Sequence, residues 1–501
     1  MSLVWHDIFI WLEKLNKTLK SRLEKLMKIG GNGLEKLDKL FIIGLEKLTR
    51  GVFMIERSAK NRINEWIQDG KDALLVTGAR QIGKTFLIRE CLKESEYSYL
   101  ELNFIERPNL VELFSNVKDS KDLILRLSLL STAPLEKGRT IIFLDEVQEC
   151  KEIVTQIKFL VEEGSYRYIM SGSLLGVEIQ NLRSAPVGYM RIYDMYPLNF
   201  QEFIRAIGIH QETIEALKIN FNERTKVDDF VHKKLLDAFY LYLIVGGMPE
   251  AVDEYIQTND LARVAQIHEK ITRLYKIDFS KYETNYKLRL REIYDSMPGQ
   301  LAQKSKRFQF SRVGKGLTYH RIENDFLWLK DAGVAIPVYN INEPKVPLII
   351  SENRSLFKLF FSDVGLLTSH YSNEIKFAIL NKTKDINNGA LFENAVAQEL
   401  LSKGHKLYYF NSKKQGELDF VLEMSGEVIP LEIKSGKDYK RHSALDNVLS
   451  TLQYEIKEAY IFSESNLEVK EKRIYMPIYM IMFLEEEEIE NTIYKIDVSG
   501  L

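Results

Sequence analysis

The chain has 501 residues, of which 45% are hydrophobic and 28% are charged, and its formal net charge is −2. This length predicts roughly two to four domains with sizeable cores. A net charge near zero excludes a chain that is basic throughout, so a face for nucleic acid would have to be local. Cys91 and Cys150 are the two cysteines and lack metal-ligand spacing, which indicates a reducing compartment. No apolar run reaches the roughly 20 residues of a membrane span, and residues 4–11 are too short and polar for a signal peptide, so we expect a cytoplasmic protein.

The first 53 residues differ from the rest. Leu-Glu-Lys-Leu recurs at Leu12, Leu23, Leu34 and Leu45, a strict 11-residue period that suits a nearly straight helix. Glycines at 30, 31, 33 and 44 interrupt this period. Two interpretations remain: short amphipathic helices that dock on a partner or a membrane surface, or a poorly ordered tail from a duplicated segment. We expect an N-terminal extension over 1–53 and a folded part that starts at Met54.

A phosphate-binding loop is predicted after the apolar run 73–77. Residues 78–85 read GARQIGKT, the G-x-x-x-x-G-K-[ST] spacing of a P-loop, and a helical pattern follows. The glycines let successive N–H groups turn towards phosphate oxygens, the lysine would reach the β- and γ-phosphates, and the threonine hydroxyl would bind Mg²⁺. The alternative is a chance turn between a strand and a helix. The predicted nucleotide-binding residues are Gly78, Ala79, Arg80, Gln81, Ile82, Gly83, Lys84, Thr85 and Phe86.

A second motif places two acids at the end of the apolar run 140–144. Asp145 and Glu146 follow what reads as a buried parallel strand. Ligands of open α/β sheets lie at the carboxyl ends of strands, so we expect Asp145 to hold Mg²⁺ and Glu146 to polarise an attacking water. A surface acid pair explains either motif alone but poorly explains both in this order. The predicted ligands are therefore ATP and Mg²⁺, with Lys84 and Glu146 as catalytic residues.

Alternating strands and helices over 54–209 predict an α/β nucleotide-binding core. A strand at 166–173 ends in small polar residues, and Ser171 or Ser173 could sense the γ-phosphate; the alternative is an ordinary turn. Arg80, Arg183 and Arg191 are candidates for an arginine that meets the γ-phosphate, but a surface position is the favoured interpretation for each of them. We leave that residue unassigned.

Residues from about 54 to the C-terminus resemble a prokaryotic family of AAA+-type ATPases with a C-terminal domain of unknown function. The matching stretches are GARQIGKT (78–85), FLDEVQ (143–148), SGSLLG (171–176), YPLNFQEF (196–203) and GGMPEAV (246–252). The resemblance implies ATP binding and hydrolysis but no biological role. It also implies that the helical pattern over 210–284 is a lid over the nucleotide.

Helices followed by a hairpin over 285–371 predict a winged-helix module. Its segment 304–310 is basic with interleaved aromatic residues, and further cations follow at 312, 315, 320 and 321. DNA contact is one interpretation, because a cluster of this kind neutralises phosphates. The other is a solvated loop in a winged helix that contacts protein.

The unit over 388–501 combines an amphipathic helix bearing Glu393 with strands bearing Asp419 and the Glu432-x-Lys434 motif. This pattern resembles the core of PD-(D/E)XK nucleases. The resemblance implies Asp419 and Glu432 as ligands of Mg²⁺ or Mn²⁺, Lys434 as a catalytic cation, and Glu393 as the helix acid. The alternative is an ion pair between Glu432 and Lys434, which period two places on one face.

The sequence thus predicts an α/β fold: an AAA+-like P-loop NTPase with a helical lid, a winged-helix module and a restriction-nuclease-like C-terminal domain. The leading functional hypothesis is an Mg²⁺-dependent ATPase coupled to nucleic-acid handling. The alternative is a nucleotide-dependent switch or interaction protein whose nuclease-like domain is inactive. A homo-oligomer or a protein partner is compatible with both.

Overall fold

The computed structural model describes residues 55–173, 188–279, 284–383, 388–436 and 438–486. The chain divides into two units, and the described residues from 56 onwards belong to the second, residues 56–501. The 11-residue repeat and Arg183 lie outside the described residues, as does the second half of the SGSLLG stretch.

The first part of the second unit is a parallel sheet flanked by helices. Apolar runs such as Ala73–Thr77 and Thr140–Asp145 are buried along their whole length, as expected of strands covered on both faces. All pairings in this sheet are parallel, in the order β2-β3-β4-β1-β5. Its strands are β1 Ala73–Thr77, β2 Ser98–Asn103, β3 Thr140–Asp145, β4 Arg167–Ser171 and β5 Met190–Asp194. The helices of this part are α1 Ser58–Asp69, α2 Lys84–Glu94, α3 Val111–Phe114, α4 Ser120–Leu130 and α5 Lys151–Glu163.

A run of helices follows the sheet. Asn199 starts the first of them with a reciprocal capping box, in which its side chain accepts from the Glu202 N–H and the Glu202 carboxylate accepts from the Asn199 N–H. The run comprises α6 Phe200–Ala206, α7 Gln211–Glu223, α8 Asp229–Val245, α9 Pro249–Thr258, α10 Leu261–Phe279, α11 Thr284–Leu301 and α12 Tyr319–Asp331. Helix α8 ends at Gly246, and Pro249 opens α9 at a position where its missing N–H costs nothing.

The remaining strands form one mixed sheet of eight, in the order β12-β13-β11-β10-β9-β8-β6-β7. Strands β6 and β7 are an antiparallel pair, and β6 also pairs in parallel with β8. The hairpin within 285–371 therefore shares a sheet with the strands of 388–501. The strands are β6 Ala335–Ile341, β7 Glu352–Phe361, β8 Tyr408–Ser412, β9 Gly416–Met424, β10 Glu427–Ile433, β11 Ala459–Ser463, β12 Glu468–Lys470 and β13 Arg473–Pro477.

The last helices complete this region: α13 Val364–Thr368, α14 Asn373–Leu380, α15 Gly389–Ser402 and α16 Ser443–Leu449. Helix α15 is buried at every residue from Ala390 to Leu400. It packs against α8, α13, β7, β10 and the 3₁₀ segment Ile478–Phe483. A helix buried on all sides occupies the centre of a structure rather than its surface. In the described residues, no helix is long and apolar enough to cross a membrane.

Candidate functional site

The loop between β1 and α2 has the bends that a phosphate cradle requires. Gly78, Gln81 and Gly83 have φ angles of 133°, 67° and 87°. A Cβ atom on Gly78 would lie 2.2 Å from the Met195 carbonyl oxygen, so only glycine fits there. Helix α2 begins directly after Gly83, which directs its first N–H groups towards the cleft.

Lys84 is buried at the base of this loop. Its Nζ donates to the carbonyl oxygens of Gly78 at 2.9 Å and Ala79 at 2.7 Å. Burial lowers the pKa of Lys84 to about 8, although the nearby carboxylates of Glu146 and Asp145 oppose the shift. The loop thus holds a cation whose charge is poorly solvated, next to the place where anionic phosphates would bind.

Asp145, the last residue of β3, forms hydrogen bonds with the last residues of β2 and β4. It accepts hydrogen bonds from the Thr85 hydroxyl at 2.9 Å, from the Asn103 amide at 2.7 Å and from the Ser171 hydroxyl. Burial raises the pKa of Asp145, and the hydrogen bonds from Ser171 and Thr85 oppose that shift. A carboxylate and a hydroxyl are hard oxygen donors, so the chemistry of Thr85 and Asp145 fits Mg²⁺.

Glu146 follows with a left-handed backbone at φ 58°, which turns its side chain out of the strand direction. The Gln148 amide donates to its carboxylate at 2.5 Å. Glu146 lines an open cleft of about 900 Å³ together with the P-loop, Phe104, Ser173 and Pro249. The predicted catalytic acid and the P-loop therefore share one cleft, and the start of α9 forms one of its walls.

Arg80 lines the cleft and is held there by two partners. Its Nε donates to Ser173 Oγ at 3.2 Å, and its Nη1 lies 2.6 Å from Asp278 of α10. Arg191 lies beside Leu74, at the opposite end of β1 from the P-loop, and pairs with Asp72 at 3.3 Å. Of the arginine candidates in the described residues, only Arg80 borders the nucleotide cleft.

Two contributors to this site were missed from the sequence. Arg57 donates to the Ile82 carbonyl oxygen at 3.2 Å and to the Tyr196 carbonyl oxygen, and it pairs with Glu202. Asn103, at the end of β2, is the second contributor, and its amide donates to Asp145. Its position at the tip of β2 was a usable signal, because parallel strand tips meet at one sheet edge. Arg57 lies outside any motif, and only the fold shows its role.

The second set of predicted residues also converges. Strands β9 and β10 pair with Leu431 opposite Phe420, which places Asp419 beside Glu432. Glu393 on α15 and Glu417 on β9 complete what we call the acid cluster: Glu393, Glu417, Asp419 and Glu432. Glu393, Asp419 and Lys434 line a cleft of about 380 Å³.

Three lysines neutralise most of the acid cluster. Lys434 Nζ lies 2.5 Å from Glu432 Oε1, which is the ion pair offered as an alternative from the sequence. Lys306 Nζ lies 2.5 Å from Glu393 Oε1. Lys358 of β7 is fully buried, with Nζ 2.8 Å from Glu417, 3.6 Å from Glu393 and 3.9 Å from Asp419. Four carboxylates therefore face three ammonium groups.

Burial dominates the electrostatics of this cluster. It raises the pKa of Glu432 to about 8 and also raises that of Glu393, and in both cases the charge of Asp419 adds to the shift. Asp419 Oδ2 accepts from the Ile433 N–H at 2.8 Å. The oxygen donors suit a divalent ion chemically, but in the described residues no three acid, histidine or cysteine side chains are grouped to hold a metal. In the described residues, Lys306, Lys358 and Lys434 pair with these carboxylates instead.

The basic segment, residues 304–315, runs beside this cleft. Lys304, Arg307, Arg312 and Lys315 are exposed, whereas Lys306 turns inward to the acid cluster. Phe308 and Phe357 stack with ring centroids 5.2 Å apart and anchor the segment on β7. The aromatic residues of this segment therefore contribute to packing, and its cations face outward.

The parallel sheet, the P-loop and the acid-bearing strand tip define the class of P-loop nucleotide-binding domains. Comparison with protein families agrees: residues 70–204 match the family model described as AAA domain, and we refer to this part of the chain as the AAA domain. Residues 236–375 and 388–481 match two domains of unknown function, DUF8612 and DUF4143. No curated protein matches the chain in sequence.

Two solved structures show distant similarity. The Walker-type ATPase PABY2304 of Pyrococcus abyssi is 14% identical, with 63% of this chain and 95% of that chain covered and a TM-score of 0.39. A katanin structure that concerns katanin self-assembly is also 14% identical, with 32% of this chain and 57% of that chain covered and a TM-score of 0.21. Similarity this low carries no inference about function.

Proposed function

We propose that this protein binds ATP in the cleft between the P-loop and α9 and hydrolyses it with Mg²⁺. The observation that carries the proposal is the convergence of Lys84, Thr85 and Asp145 at the carboxyl edge of a parallel sheet. The AAA match over residues 70–204 supports it.

Each residue has a role that follows from its position. The N–H groups of 78–86 surround phosphate oxygens. When ATP binds, Lys84 gives up its hydrogen bonds to the Gly78 and Ala79 carbonyl oxygens and donates to phosphate oxygens instead. Thr85 and Asp145 would hold Mg²⁺, which neutralises charge on the β- and γ-phosphates when bound. Glu146 orients the attacking water and accepts its proton, while Ser171 fixes the orientation of Asp145.

Substitutions within and beside the loop test this proposal. We expect Lys84→Ala to abolish measurable ATP binding by calorimetry, whereas Glu146→Gln keeps binding and slows turnover by about 10²–10⁴-fold, the usual contribution of a general base. Lys93→Ala is the matched control, because Lys93 lies on the same helix and is exposed. Unchanged ATP affinity in Lys84→Ala would refute the assignment of the loop.

A second candidate function belongs to the C-terminal region. We propose that the acid cluster binds a divalent cation through Asp419 and Glu432 and acts on nucleic-acid phosphodiesters, with Lys434 as the nearby cation. The convergence of Glu393, Asp419 and Lys434 on one cleft supports this, as does the exposed charge of the basic segment beside it. The order of the elements, with α12 followed by the β6–β7 hairpin, supports the winged-helix interpretation of 285–371.

The three alternatives for the C-terminal region give different results in one assay. Cleavage of labelled DNA by the full chain with Mn²⁺, lost in Asp419→Asn and in Lys434→Met, is the expected result for a nuclease. Salt-dependent DNA binding without cleavage would support a nucleic-acid-binding switch with an inactive centre. No binding and no cleavage would leave the interaction protein, with the acid cluster as an ionic scaffold.

A further inference from the structure

Lys306 differs from Lys358 and Lys434, the other lysines that pair with the acid cluster, because it reaches the cluster from an exposed segment. Its neighbours Ser305 and Arg307 are exposed, and its own side chain keeps 16% of its surface accessible at the mouth of the cleft. The ammonium group lies 2.5 Å from Glu393 Oε1, and the Glu393 side chain is 3% exposed. A largely exposed segment therefore supplies the counterion of a buried acid.

Lys358 provides the contrast. It has no exposed surface, lies near three carboxylates and sits 5.1 Å from the centre of the Tyr409 ring. Withdrawing this side chain would leave a void and several uncompensated charges, so it is a fixed part of the core. Lys306 can leave the acid cluster, because its side chain would then be solvated and would regain rotamer freedom.

One carboxylate oxygen of Glu393 is buried without a hydrogen-bond donor in the described residues. Among the described residues, its Oε2 atom accepts no hydrogen bond, and Lys358 lies 3.6 Å from it. Glu432 Oε2 is likewise buried and has no hydrogen-bond partner within the described parts of the chain. Buried carboxylate oxygens normally find a donor, so two such atoms in one cluster indicate room for a further cation.

We propose that Lys306 is a displaceable cation: it occupies Glu393 until a divalent ion arriving with a nucleic-acid phosphodiester takes its place, and it then pairs with the phosphate. This proposal rests on the second candidate function. Lys304 and Arg307 flank Lys306 and are exposed, so the same segment offers three cations to one strand. Nucleic acid and metal therefore bind cooperatively, and the metal alone binds weakly.

The test is Mn²⁺ titration of the full, nucleotide-free chain by calorimetry. We expect Lys306→Gln to tighten Mn²⁺ binding by about tenfold or more, because no charged hydrogen bond must be broken first. Lys306→Arg, which keeps the charge, should bind as weakly as wild type. Lys304→Gln is the matched control and should change nothing, since its side chain is exposed. Asp419→Asn should remove the signal in every background.

A short single-stranded DNA gives an independent readout in the wild-type chain. It should strengthen Mn²⁺ binding in wild type and have little effect in Lys306→Gln, where the competing cation is already gone. Equal enhancement in both proteins would overturn the proposal. If Asp419→Asn removes Mn²⁺ binding but Lys306→Gln does not tighten it, Lys306 is not the competitor and the metal site stands. If folded Lys306→Gln binds no Mn²⁺, both ideas fail.

Discussion

Lys84 combines two opposing requirements in one side chain. Its ammonium group is needed to meet phosphate, yet burial lowers its pKa to about 8. Because the charged form binds phosphate, ATP binding should take up a proton wherever free Lys84 is deprotonated.

ATP affinity should therefore fall as the pH rises above about 8, approaching tenfold per pH unit. Calorimetry between pH 7 and pH 9.5, repeated in buffers of different ionisation enthalpy, measures both the affinity and the proton uptake. Lys84→Arg is the comparison, because a guanidinium stays charged over this range. Proton uptake near zero at pH 9 in the wild-type protein would contradict the prediction.

Glu399 is a buried acid that links two helices. Its Oε2 accepts from the Phe200 N–H at 2.7 Å, which ties α15 to the start of α6. Burial raises its pKa to about 7, opposed by the charge of Lys403 and the Phe200 hydrogen bond and reinforced by Glu202 and Glu485. The folded state thus holds a proton that the unfolded chain releases at lower pH.

The sign of its effect on stability follows from this raised pKa. The contribution of Glu399 is greatest below its unfolded pKa and is lost as the pH rises through about 7. We expect Glu399→Gln to show a smaller fall in melting temperature between pH 5 and pH 8 than wild type. Glu215→Gln, an exposed helical acid, should keep the wild-type slope. Parallel slopes in all three proteins would show that Glu399 does not titrate in this range.

At the scale of elements, the turn before β6 packs against the backbone of the P-loop. Gly333 has φ 72°, and a Cβ atom there would lie 2.7 Å from the Ala79 backbone nitrogen. The Arg80–Asp278 ion pair adds a second link from the loop to the helices beyond it. The loop is therefore held from both the AAA domain and the region after it.

Gly333→Ala should displace the P-loop backbone, lowering both the melting temperature and ATP affinity. Gly316→Ala is a closely matched control, because Gly316 has φ 73° and nothing within 4 Å of the added atom. Both changes carry the cost of a left-handed alanine, about 1–2 kcal/mol, so any difference between them reports the contact with Ala79. Equal ATP affinities would show that this contact does not support the loop.

Much of the nucleotide site could be predicted because its chemistry is local in sequence. Gly78 to Thr85 are contiguous, and Asp145 ends an apolar run that can only be a buried strand. The acid cluster was harder, since Lys358 reaches it from a strand more remote in sequence. A lone lysine within the apolar run 356–361 was a usable signal, because a buried charge requires a partner. The pairing of β6 with β8 has no such signal, since it depends on tertiary packing.

At the scale of the whole molecule, α15 connects the acid cluster with the AAA domain. Glu393 faces the acid cluster, and Glu399, about 9 Å further along the helix at 1.5 Å per residue, bonds to the AAA domain side at Phe200. Between them, Gln398 donates to the Leu198 carbonyl oxygen and to Asp363, which in turn accepts from the Gly247 N–H. Loss of either side would expose a helix that is buried on all sides.

The region 388–501 should therefore fail to fold alone. Expressed by itself, it would lack β6, which completes β8, and would lack the partners of α15. Circular dichroism during heating should show no cooperative transition for this fragment. A fragment that begins at residue 284 and keeps β6 and β7 should recover part of it, and the full chain should unfold cooperatively. A sharp transition in the short fragment would show that the shared sheet is dispensable.

The bond between Phe200 and Glu399 also sets an order of events during synthesis on the ribosome. The two residues are 199 positions apart in the chain. At about 5–20 residues per second, the turn at Leu198–Phe200 emerges roughly 10–40 s before the helix that completes it. Until then Phe239 and Tyr240 of α8 lack their partner Phe392 of α15. We expect this uncovered apolar surface to make the nascent chain a client for chaperones during that interval.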